Sequence, residues 1–147
     1  MEHRIKMVKK LSRKTRGTAM LELALLSPWI IFLFIGVFDY GFYAYSLITL
    51  QSAARSAAVW NSGHATPTDT AAACTVATSE MQTLVNMVGV TACGGSSPVS
   101  VSATQVTGPD NSNAAQVSVT YTTPSLIPIP GLLAKQFTIT RVVTMKL

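Results

Sequence analysis

Residues 18–38, TAMLELALLSPWIIFLFIGVF, form an apolar run with one ionisable side chain in it, Glu22. As an α-helix these 21 residues rise about 32 Å, enough to cross the hydrocarbon core of a bilayer. A small soluble domain has no use for a core helix so long and so evenly apolar. In a chain of 147 residues such a span leaves room for one small domain beyond it and not for two sizeable cores.

The charge distribution orients the span. Seven of the eleven basic residues precede Gly17: Arg4, Lys6, Lys9, Lys10, Arg13, Lys14 and Arg16, against one acid, Glu2. From Thr18 onward Arg55, Lys135, Arg141 and Lys146 face Glu22, Asp39, Asp69, Glu80 and Asp110, so that part is nearly neutral. Nucleic-acid binding needs cations spread over a folded face, and these sit in one terminal block, so no nucleic-acid partner is expected. By the positive-inside rule the block stays cytoplasmic and everything after Tyr40 lies outside the cytoplasm.

Two residues inside the run need a physical reason. A carboxylate at Glu22 costs about 3 kcal/mol in lipid unless it is paired or reaches water. If the chain is cut after Gly17, Thr18 gains a free α-amino group little more than one turn away, and the ammonium and carboxylate can neutralise each other. The simpler alternative is a glutamate that snorkels to the interface. Pro28 removes an N–H and deprives the Ala24 carbonyl of its usual donor. Ser27–Pro28 therefore either opens a new helix or bends a continuous one.

The stretch RGTAMLE, with Gly17 followed by an apolar run bearing Glu22, resembles the prepilin-peptidase signature of type IV pilin-like proteins. The wider stretch GTAMLELALLSPWIIFLFIGVFDYGFYAYSLITLQSAARSAAVW, residues 17–60, resembles the TadE-like minor pilins, or pseudopilins, of the tight-adherence (Flp) pilus system. The proline in the run, the Asp39-Tyr40-Gly41 step and the alanine-rich continuation carry that likeness. It implies cleavage between Gly17 and Thr18 by an inner-membrane prepilin peptidase, a role for Glu22 in assembly, and other pilins and pilus assembly proteins as partners beside the lipid bilayer. Major pilins usually begin with an aromatic or bulky apolar residue, and here the mature chain begins with Thr18. An ordinary secretory signal competes with this reading, with Ala44-Tyr45-Ser46 as its cleavage site, but its apolar part is normally about 7–15 residues.

Beyond the span, helical character continues to about residue 60, with Tyr40, Tyr43, Leu47, Leu50, Ala54 and Ala57 or Ala58 on one stripe that suits packing on a distal domain. Tyr40, Tyr43 and Tyr45 suit the headgroup region. Residues 61–68, NSGHATPT, read as a turn, and His64 in it has no second ligand at metal spacing. A second helix is expected over about 69–88, capped by Thr68 or Asp69, with Cys74, Thr78, Met81, Val85 and Val88 buried and Gly89 as its stop.

Two cysteines outside the cytoplasm invite a disulfide between Cys74 and Cys93. Fourteen helical steps from Cys74 rise about 21 Å, and five extended residues recover at most about 17 Å. The bridge thus requires the chain to double back at once, or a helix that starts later, for example at Ser79 with Gln82 completing a capping box.

After residue 96 the period becomes two. Val99, Val101 and Ala103, then Val117, Val119 and Tyr121, then Phe137, Ile139, Val143 and Met145 mark three strands, with Arg141 the charged exception on the third. Residues 108–113, GPDNSN, form the first hairpin connection. The fold class is therefore α+β: a long N-terminal transmembrane helix (18–60) running into a small extracytoplasmic domain (61–147) with a second helix and a three-stranded antiparallel sheet. Residues 123–131, TTPSLIPIPG less its first threonine, are apolar for a loop, with Leu126, Ile127 and Ile129 needing cover or a partner. The stretch from residue 117 to the end also resembles the carboxyl-terminal part of TadE-like proteins.

No catalytic constellation, phosphate loop or metal spacing is present in the sequence, so neither an enzyme nor a cofactor is expected. Two functions compete. One is a cleaved, membrane-anchored minor pilin acting in pilus assembly; the other is an uncleaved single-pass protein displaying a binding module. Both place the chain in the inner membrane with a periplasmic or extracellular head.

Overall fold

The structure is a computed structural model that describes residues 2–125 and 136–147, with side chains described from Gly17 on. Leu126, Ile127 and Ile129, the apolar loop residues singled out above, lie outside the described residues. The elements run in the order α1 (Glu2–Ser62), α2 (Thr70–Glu80), a 3₁₀ turn (Met81–Thr83), β1 (Val99–Thr107), β2 (Asn113–Thr122) and β3 (Thr138–Lys146). The fold class is α+β, with a long apolar N-terminal helix, a second helix and a three-stranded antiparallel sheet.

The chain divides into two compact units, residues 1–40 and 41–147. In the first, α1 passes through Pro28 without interruption, so Ser27–Pro28 does not open a new helix. Its apolar side chains are bare: Met20, Trp29, Phe34 and Val37 are all exposed. This is the one helix, among the described residues, that is long and apolar enough to cross a membrane.

The second unit has a core. The sheet order is β1-β2-β3, with Val101 opposite Val119 and Val119 opposite Arg141. Period-two alternation puts Val99, Ala103, Val117, Val119, Tyr121 and Ile139 on the covered face. Leu50, Ala53, Ala54, Ala57 and Ala58 of α1 belong to the same cluster. Four alanines there leave little side chain between the helix backbone and the strands, which is why β-branched and aromatic residues can fill the other half. The Tyr43 ring meets Phe137 edge-on at 5.7 Å between centroids. Tyr40, the first residue of the expected stripe, is exposed.

α2 is shorter than its sequence suggests. Asp69 caps it by accepting from the Ala72 N–H at 3.0 Å, but it ends at Glu80 and not near Val88. The chain then turns on side-chain amides. Gln82 donates to the carbonyls of Thr78 and Val90 and accepts from the Gly89 N–H, while Asn86 donates to the Thr122 carbonyl. Breaking the helix changes the phase of burial: Leu84 and Met87 are buried, and Val85 and Val88, expected inside, are exposed. Gly89 has φ +77° and lets the turn close.

Candidate functional site

The candidate site is the amino-terminal part of the apolar helix, where α1 presents the adjacent Gly17 and Thr18 on one turn and Glu22 on the next. Gly17, Thr18, Leu21, Glu22 and Leu25 line one shallow open groove on the helix, as the three- and four-residue spacing requires. All five are exposed. A methyl built on Gly17 meets nothing within 4 Å, so the glycine is not required there by crowding within the chain. Glu22 is exposed, as are its described neighbours Leu21, Leu23 and Leu25 on α1.

Residues 17–59 match the family model described as TadE-like protein. The TadE-like match lies wholly within α1 and covers less than a third of the chain. It includes Gly17, Thr18, Glu22, Pro28, Asp39 and the alanine face, and it leaves α2 and the sheet outside. No curated protein and no solved structure matches the chain. TadE-like proteins are pilus-associated and structural, and an apolar single helix fits a protein that crosses a membrane once.

At the far end of the apolar run a residue appears whose role the sequence did not announce. Asp39 is only 3 % exposed, and neither carboxylate oxygen has a hydrogen-bond partner among the described residues. A buried carboxylate without a donor is costly. The available signal was an acid directly after an apolar run, which also marks an ordinary membrane boundary.

The other residues singled out lie in the second unit. Cys74 and Cys93 are bridged, with S–S 1.95 Å and Cα–Cα 6.0 Å. Neither geometry the sequence left open is used: the helix holding Cys74 starts at Thr70 and stops at Glu80, so the long helical rise to Val88 that made the bridge tight is never made. His64 stacks on Trp60 at 3.8 Å, and its Nδ1 lies 2.7 Å from the Trp60 carbonyl. No group of histidines, cysteines and acids among the described residues is arranged to hold a metal. At the β1–β2 hairpin, hydrogen bonds from Lys146 and Ser112 hold the Asp110 carboxyl down at about 2. That pair is solvent-exposed and ties the end of β3 to the hairpin.

Proposed function

We propose that the chain is a minor pilin, or pseudopilin, acting in the assembly of a tight-adherence type IV pilus. A prepilin peptidase removes residues 1–17 on the cytoplasmic side, and the mature helix begins at Thr18. In the apolar interior formed by neighbouring pilin helices, Glu22 neutralises a terminal ammonium, its own or a neighbour's. The residues from 61 on face the periplasm or the exterior and provide contacts to other subunits. The observation that carries this reading is the pairing of an unobstructed Gly17 with an exposed Glu22 on a bare apolar helix that matches the TadE-like model.

The test is intact mass of the membrane fraction after co-expression with a prepilin peptidase. The expected product begins at Thr18. Gly17→Val should retain the leader; because a Cβ there touches nothing, that loss reports recognition by the peptidase and not misfolding. Glu22→Gln should be cleaved normally yet fail to restore filaments in a cell lacking the native protein. A leader still attached in the presence of active peptidase would leave the uncleaved display protein as the better account.

A further inference from the structure

Val85 and Val88 have the spacing of buried helix residues, yet they are 70 % and 75 % exposed, more than any other large apolar side chain described from Leu50 onward. The cause is the backbone after α2. The N–H groups of Leu84, Met87 and Val90 donate in turn to the carbonyls of Met81, Leu84 and Met87, and such a three-residue repeat stacks side chains at i and i+3 on one side. Leu84 and Met87 take the side that joins the core, so Val85 and Val88 share the side left outside it.

Hydrogen bonds place this turn within residues 41–147. Asn86, between the two valines, donates to the Thr122 carbonyl and accepts from the Tyr121 hydroxyl. Next along the chain, the Thr123 N–H donates to the Phe137 carbonyl and its hydroxyl accepts from the Phe137 N–H, and the Phe137 ring meets Tyr43. The turn therefore lies at the end of the sheet that Tyr43 touches. The hairpin with Asp110 and Lys146 lies at the opposite end, about 27 Å away along β2 from Tyr121 to Asn113. Tyr43 follows Phe38, the last residue of the apolar run, by five positions, which span at most about 17 Å in any conformation. Chain length alone sets that limit, and it holds at whatever angle the helix leaves the bilayer.

The turn is also uncharged: from Met81 to Pro109 there is no Asp, Glu, Lys or Arg. Of the flanking charges, Glu80 ends α2 before the turn begins, and Arg141 stands opposite Val119, two residues in from Tyr121. Apolar side chains that bring no charge with them gain by entering the boundary between headgroups and acyl chains. Two valines would not hold a free protein on a membrane, but a covalent anchor makes their contact intramolecular, so a small gain suffices.

We infer that the turn at residues 84–90 is a second membrane contact, in which Val85 and Val88 enter the lipid surface beside the anchor. The inference goes beyond the pilus reading and rests only on residues 18–38 spanning the bilayer.

The experiment reconstitutes the full chain in phosphatidylcholine vesicles with a fluorescent residue at Val85, Val88, Thr107 or Phe34, one at a time, and compares ordinary acyl chains with brominated ones, which quench on contact. The labels at Val85 and Val88 should lose fluorescence, as should Phe34 inside the span, while Thr107 beside the hairpin stays bright. The loss should be equal at low and high salt, because no ion pair supports it, and Val85→Asp should return the Val88 label to the Thr107 level. Bright labels at Val85 and Val88 beside a quenched Phe34 would overturn the inference and leave the anchor standing. Equal quenching at Thr107, quenching that vanishes at high salt, or a Val88 label indifferent to Val85→Asp would overturn it too. So would shielding of the two labels that requires other pilus subunits, which would assign the patch to a protein. A bright label at Phe34 would defeat the anchor itself and this contact with it.

Discussion

Tyr121 is the largest fully buried side chain of the core, and its hydroxyl donates to Asn86, which in turn donates to the Thr122 carbonyl. Burial pushes its pKa from 10.0 up to about 12. Between those values the unfolded chain has lost the proton and the folded chain keeps it, so the folded state binds more protons and stability falls as pH rises. Tyr121→Phe should cost about 1–2 kcal/mol at neutral pH, because Asn86 loses its donor, and should flatten the decline between pH 10 and 12. Denaturant melts of both proteins across that range check it; parallel declines would show that other groups dominate. Asp39 gives the opposite kind of prediction. Asp39→Asn keeps the volume, replaces a buried carboxyl that has no partner among the described residues by an amide, and should raise the thermal midpoint in detergent. A lowered midpoint would mean that a cation reaches the carboxylate.

Among the elements, those built on one period were legible and those built on side-chain hydrogen bonds were not. The strands and the stripe from Leu50 to Ala58 follow from apolar spacing alone, because a two-layer core offers them one face to bury. The end of α2 is not legible from spacing, because Val85 and Val88 continue a helical pattern that the chain abandons after Glu80. What stops the helix is Gln82 and Asn86 reaching partners on Val90 and Thr122, and nothing in the local sequence reveals those targets. The same hydrogen bonds bring Cys93 back to Cys74, separated by 19 residues. Removing the bridge with paired alanines should therefore cost about 3 kcal/mol, the closure entropy of a loop of that length, read as a shift in urea midpoint. The alanine face of α1 makes a second demand on this element. Ala57 has no exposed surface, so Ala57→Leu must push helix and sheet apart, at about 1–3 kcal/mol. An unchanged midpoint would mean that the interface is looser than close packing allows.

At the scale of the whole molecule, the two units need different solvents. Thirteen large apolar side chains between Met20 and Phe38 are exposed; leaving them in water forgoes on the order of 20 kcal/mol of burial. That exceeds the net stability of an ordinary domain, about 5–15 kcal/mol, so this stretch needs lipid or the helices of other subunits around it. The core cluster, by contrast, draws every one of its buried members from Leu50 to Ile139, within residues 41–147. A chain shortened to begin at Gly41 should accordingly stay in the supernatant after ultracentrifugation and unfold cooperatively, while the full chain sediments with membranes and enters the detergent phase. Both halves of the expectation matter. A shortened chain that aggregates or melts without a transition would show that the apolar helix contributes to the fold of the head, and a full chain that remains in the aqueous phase would remove the physical reason for reading residues 18–38 as an anchor at all.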